Sequence, residues 1–85
     1  MTWGIDWTES AVDSMERLDR RTRERIVNAV ERLGEIGHGD VRRVQRSGGE
    51  LALRVGGWRV FFVYLPAEQL IRILRVRPRG SAYRP

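Results

Sequence analysis

Cysteine is absent from this 85-residue chain, which excludes a disulfide framework and a thiolate metal site. Histidine occurs once, at His38, so no histidine-based zinc site is expected either, and neither a metal nor another cofactor is anticipated. Long apolar runs are missing. The longest, from Val60 to Leu65, is far too short to span a membrane. No basic segment followed by an apolar run stands near the N-terminus, so no signal peptide is expected. These absences lead to the expectation of one cytoplasmic domain over residues 1–85, with no membrane partner.

Lysine is absent as well: all 16 basic residues are arginine. Their distribution is uneven. Residues 1–40 hold six arginines against nine carboxylates, whereas residues 41–85 hold ten against two. The net charge of +5 is thus concentrated in the second half. Arginine carries a planar fork of donors that fits phosphate and stacks on bases. A basic half-domain points to a polyanion, either nucleic acid or an acidic protein.

The apolar spacing divides the chain in two. Trp3, Ile5 and Trp7 alternate as in a short strand. Thr8 is placed to cap a helix whose apolar stripe is Ala11, Met15 and Leu18. Asp19 is placed to cap a second, with Ile26, Val30 and Leu33 at the same spacing, ended by Gly34, Gly37 and Gly39. So short a connection predicts an antiparallel helix hairpin. After Asp40 the period changes to two. Leu51, Leu53 and Val55 alternate, Gly56-Gly57 follows, and Trp58, Val60, Phe62 and Tyr64 alternate again. Two such runs joined by Gly-Gly predict a tight β-hairpin. A further strand is expected from about Gln69 to Arg77, stopped by Pro78 and Gly80. The expected fold class is α+β: a short N-terminal strand, an antiparallel helix hairpin and an antiparallel β-meander, with the helices on one face of the sheet.

A two-residue turn at Gly56-Gly57 pairs Val55 with Trp58, Leu53 with Val60 and Leu51 with Phe62, all on the core face. The opposite face then carries Arg54 directly across from Arg59, with Ala52 and Phe61 beside them. Like charges directly opposite are destabilising, and an anion bound between them relieves the repulsion. The last strand adds either Arg72 or the pair Arg75 and Arg77 to this face, depending on the turn at Pro66. Arginines interleaved with an aromatic suit the stacking of nucleic acid bases, which makes Arg54, Phe61, Arg75 and Arg77 candidate RNA-binding residues. His38 lies in a glycine-rich connection and is read as a solvated loop residue.

The stretch Leu53-Arg54-Val55-Gly56-Gly57-Trp58-Arg59-Val60 resembles the "LRVG-x-aromatic-R-V" pattern of RelE/ParE superfamily toxins. Ile73 to Arg79, followed by Tyr83-Arg84, is similar to the closing strand and C-terminal end of that family, and Trp3 to Leu18 resembles its opening. The resemblance implies the toxin of a type II toxin–antitoxin system, neutralised by a cognate antitoxin protein. RelE-type members cleave mRNA in the ribosomal A site; ParE-type members target DNA gyrase. Carried over by position, Arg59 is the hairpin arginine, Arg79 the arginine near the end of the last strand and Tyr83 the C-terminal tyrosine. The resemblance therefore makes Arg59, Arg79 and Tyr83 the candidate catalytic set and adds Arg84 to the RNA-binding residues. Where some RelE members carry lysines before the turn, this chain has Glu50 and Ala52, and a position that is often histidine is Pro78. Three functions follow: a ribosome-dependent mRNA endonuclease, the expectation of choice; a gyrase inhibitor that acts by protein binding; and an inactive relative that binds only antitoxin or nucleic acid.

Overall fold

The computed structural model describes residues 2–79; Tyr83 and Arg84 lie outside the described residues. The chain opens with β1 (Gly4–Trp7), α1 (Glu9–Glu16) and α2 (Arg20–Ile36). Then come β2 (Asp40–Arg43), β3 (Leu51–Val55), β4 (Trp58–Leu65), a 3-10 turn (Pro66–Glu68) and β5 (Leu70–Pro78). The strands form one sheet in the order β1-β5-β4-β3-β2. The expected α+β architecture is observed. Two features go beyond it. β1 runs parallel to β5, whereas every other neighbouring pair is antiparallel. β2 is a strand that the apolar periodicity does not reveal, because Val41 alone of its four residues is apolar.

Local chemistry starts and stops the helices as the sequence predicts. The Ala11 N–H donates to the Thr8 hydroxyl at 3.2 Å, which caps α1. The Thr22 N–H and hydroxyl donate to the Asp19 carboxylate at 3.3 and 2.5 Å, which caps α2. Those bonds, the hydroxyl's first, hold the Asp19 carboxyl below its ordinary value. At the other end Gly37 adopts φ 68° and donates its N–H to the Leu33 carbonyl, a left-handed cap that favours glycine.

Gly34 departs from expectation. It does not end α2 but lies buried inside it. Its carbonyl accepts the Trp3 N–H at 2.8 Å, which ties the start of the chain to the helix. A Cβ at this position would stand 2.9 Å from Ile5 Cδ1 and 3.1 Å from the Trp3 carbonyl oxygen. Glycine is needed for the backbone of this edge strand to approach α2 closely.

The core lies between the helix pair and one face of the sheet. Ala11 and Met15 from α1 and Ile26, Val30 and Leu33 from α2 meet Leu53, Val60, Phe62, Ile71, Ile73 and Val76. The strand residues among them all sit at core-facing positions, and among the described residues both helices pack on that face. Replacing Gly34 with Val forces three carbons into the contact between α2 and β1. The expected outcome is a loss of about 1–3 kcal/mol of unfolding free energy in chemical denaturation, despite valine's better helix propensity than glycine's.

Candidate functional site

The register of the hairpin is the one the sequence predicts. Val55 faces Trp58, Leu53 faces Val60, Leu51 faces Phe62, Ala52 faces Phe61 and Arg54 faces Arg59. Gly56 takes φ 59° at the first central position of the turn, as a II′ hairpin requires. Arg54 and Arg59 therefore stand side by side on the open face of the sheet.

The last strand resolves the choice between Arg72 and the pair Arg75 and Arg77: all three reach this face. A β-bulge makes it possible. Phe61 pairs with Arg75 but Phe62 pairs with Ile73, so Leu74 is an extra residue in β5. One inserted residue shifts the alternation by one. Arg72, opposite Val63, and Arg75 and Arg77, opposite Phe61 and Arg59, consequently share a face although their numbers differ in parity. Thr8 serves this irregularity as well as capping α1. Its N–H and its hydroxyl donate to the Ile73 carbonyl at 3.1 and 2.7 Å, and the Leu74 carbonyl lies 3.1 Å from the same hydroxyl. The bulge thus sits where β1 gives way to α1.

The open face is organised in rows across the strands. One row runs Asp40, Arg54, Arg59, Arg77 over β2, β3, β4 and β5. The next runs Arg42, Ala52, Phe61, Arg75. A third includes Val63, Arg72 and Asp6, the last two joined by an ion pair of 2.8 Å. Because Ala52 has so short a side chain, a hollow of about 480 Å³ opens beside it, bordered by Arg42, Arg43, Arg54 and Arg59.

Carboxylates temper these arginines. Asp40 lies 3.0 Å from Arg42 and 3.8 Å from Arg54, so the pair Arg54 and Arg59 has an acidic side chain at its rim. The sequence reading missed Asp40 because it missed β2. Glu50 holds Arg75 with contacts of 2.9 and 3.5 Å. Phe61 is only 6% exposed, since the Arg75 guanidinium carbon sits 4.3 Å above its ring centre. The aromatic that the sequence offered as an open stacking surface is therefore the floor beneath an arginine. Arg77 is exposed and donates to the Ser14 hydroxyl at 3.4 Å. Arg79 follows the strand, exposed, and its N–H donates to the Gly57 carbonyl at 2.8 Å, which anchors it beside the hairpin turn. Arg54, Arg59, Phe61, Arg75, Arg77 and Arg79 are thus gathered at the hairpin end of one sheet face, while His38 lies apart on the exposed connection after α2. No group of three metal-ligating side chains occurs among the described residues, and no described helix is long and apolar enough to cross a membrane.

Asp40 offsets the repulsion along the arginine row. Asp40→Asn is expected to lower stability by roughly 0.2–1 kcal/mol at low salt, with the loss shrinking as ionic strength screens the arginines. Calorimetric melting of both chains across a salt series measures it; a difference that does not vary with salt refutes the electrostatic account.

Solved structures share this architecture. The RelBE2 toxin–antitoxin complex of Mycobacterium tuberculosis contains a chain that matches with a TM-score of 0.83 and 20% identity, covering 94% of each chain. The archaeal RelE–RelB complex of Pyrococcus horikoshii gives 0.78 and 22%, over 94% of this chain and 98% of that one. A mutant of Escherichia coli RelE in the free state gives 0.74 and 16%, over 98% and 88%. None of the curated proteins compared with the chain matches it. A family model does, that of the ParE toxin of the type II toxin–antitoxin system parDE, over residues 5–83. With nearly its whole length matched and its fold that of the RelE toxins, the chain belongs to the RelE/ParE superfamily and is the toxin of a type II toxin–antitoxin system.

Proposed function

We propose that this toxin binds RNA on the open face of its sheet and cleaves mRNA on the ribosome, which makes it a cytoplasmic endoribonuclease. The observation that carries the reading is the row Arg54, Arg59, Arg77, with Arg79 fastened to the turn beside it. Arginines gathered at one end of a sheet make a site for a phosphodiester, because a guanidinium can donate two parallel hydrogen bonds to phosphate oxygens.

Cleavage by the neighbouring 2′-hydroxyl needs no metal. The 2′ oxygen attacks phosphorus and loses its proton, the bond to the 5′ oxygen breaks, and that oxygen takes up a proton. A cyclic 2′,3′-phosphate and a free 5′-hydroxyl result. Arg59 and Arg79 are assigned to the charge that builds on the phosphorane, where fixed cations are most effective. They remain protonated and so cannot move the protons themselves. On the described part of the face the carboxylates beside the row are already engaged, Asp40 by Arg42 and Arg54 and Glu50 by Arg75. Tyr83 is therefore assigned to positioning or activating the reacting hydroxyl, and Arg84 to the RNA backbone. The ribosome supplies much of the orientation, consistent with so sparse a set of proton-transfer groups.

A cognate antitoxin is the proposed protein partner. The M. tuberculosis and P. horikoshii relatives are toxin–antitoxin complexes. Ile36, 71% exposed, and Tyr64 border a hollow with Trp3, Leu33 and Pro66 that suits an apolar side chain.

A second reading, inhibition of gyrase by protein binding, is favoured by the family model being that of ParE toxins. Incubating the toxin with mRNA on programmed ribosomes and mapping cuts by primer extension separates the two. Under the first reading, cuts fall at the A-site codon and Arg79→Ala slows them by about 10²–10³-fold. Absence of cuts together with inhibited gyrase supercoiling, undiminished in Arg79→Ala and Tyr83→Phe, establishes the second. In filter binding, Arg59→Ala is expected to reduce the slope of log affinity for single-stranded RNA against log salt by about 0.7, the share of one phosphate contact.

A further inference from the structure

We infer that Arg75, clamped between Phe61 and Glu50, is a preformed platform on which one nucleobase of the bound RNA stacks. The inference rests on the reading of the open face as an RNA surface and adds a base-recognition residue to it.

The three side chains come from three neighbouring strands or their ends. Arg75 is the cross-strand partner of Phe61, and its guanidinium carbon lies 4.3 Å from the ring centre. Glu50, just before β3, takes two contacts from the guanidinium, at 2.9 and 3.5 Å. Glu50 is itself held. The Ser47 hydroxyl donates to the Val44 carbonyl at 2.6 Å and accepts the Glu50 N–H at 2.9 Å, while the Val44 N–H donates to the Glu50 carbonyl at 3.0 Å. The loop from Val44 to Glu50 is thereby closed on itself, and its carboxylate is presented to Arg75 from a fixed backbone.

Arg75 combines an aromatic floor with a matched charge. Its positive charge is matched by Glu50 at close range, so it is the poorer choice for holding a phosphate. Its side chain is nevertheless 33% exposed, whereas the Phe61 ring below it is almost wholly covered. An arginine whose charge is compensated, whose rotamer is fixed and whose outer surface is open offers one thing to a nucleic acid: a flat, weakly hydrated surface. Bases stack on guanidinium planes as they do on aromatic rings, and a surface held rigid in advance loses little side-chain entropy on binding. The placement fits a nucleotide. Arg75 lies one row, two residues along the strands, from the row of Arg59 and Arg77, a step of roughly 6.6–6.8 Å. Ala52, with no bulk of its own, lies in a hollow that Arg59 also borders. A phosphate held by Arg59 would have its neighbouring base above Arg75.

Stacking on a plane differs from attraction to a charge, and lysine separates the two. The test is fluorescence anisotropy of the full chain with short single-stranded RNAs that are identical except for one nucleotide, adenine or abasic. The expected result is a preference for adenine over the abasic site of roughly 5–150-fold at one position, the range of one stacked base. Arg75→Lys abolishes that preference while retaining affinity for the abasic RNA. Glu50→Gln, which keeps a carbonyl acceptor for the guanidinium and leaves the plane in place, retains most of it. Circular dichroism of each variant confirms that the fold is intact. Wild-type protein that binds adenine and abasic RNA equally at every position overturns the platform and leaves the RNA surface standing. So does a preference that survives Arg75→Lys. Failure to bind either RNA overturns both.

Discussion

The Gly56-Gly57 turn holds β3 and β4 in a single register, and both surfaces of the sheet follow from that register. One face receives Leu51, Leu53, Val60 and Phe62, which close the core against the helices. The other receives Arg54 and Arg59 side by side. A slip of one residue would bury the arginines and expose the core. Burial of the apolar face therefore enforces the like-charge pair, because desolvating an unpaired guanidinium costs far more than the repulsion of two arginines in water. The arginine row is a consequence of where the hydrophobic residues must go.

The bulge at Leu74 extends that row. In a regular strand Arg72 and Arg75 would point to opposite faces. The inserted residue places Arg72, Arg75 and Arg77 together on the open side while Ile71, Ile73 and Val76 remain in the core. An irregular ladder leaves carbonyl groups to be satisfied, and Thr8 supplies donors at Ile73. One threonine thus links the start of α1 to the irregularity that gives the face its charge. The resulting density of cations is moderated by Asp6, Asp40 and Glu50, each paired with an arginine. The cations so committed keep their planes while losing most of their long-range field.

Much of this was legible in the chain itself. Thr8 and Asp19 announced the helix starts, since a short polar side chain before an apolar stripe is the local solution to unsatisfied N–H groups. The alternation around Gly56-Gly57 announced the hairpin and its register. These are short-range effects, decided by residues a few positions apart. The boundary at Gly34 was misread for an instructive reason: its glycine answers to the approach of Trp3 and Ile5, thirty residues distant in the chain, and not to the end of its own helix.

Tertiary structure decided the rest. β2 has one apolar residue, so no periodicity could betray it, and with it went Asp40, the acidic partner of Arg42 and Arg54. The face on which Arg72, Arg75 and Arg77 fall depends on a bulge whose position is set by β1 ending at Trp7 and α1 beginning beside it. Phe61 looked exposed by alternation, yet Arg75 and Glu50 from the strands on either side cover it. The sequence by itself determined which residues are apolar at which period, and hence the helices, the hairpin and the basic character of one sheet face. Which arginines are held by a carboxylate was decided only when distant strands were laid side by side, because ion pairing is a matter of a few ångströms across the sheet and leaves no periodic trace along the chain.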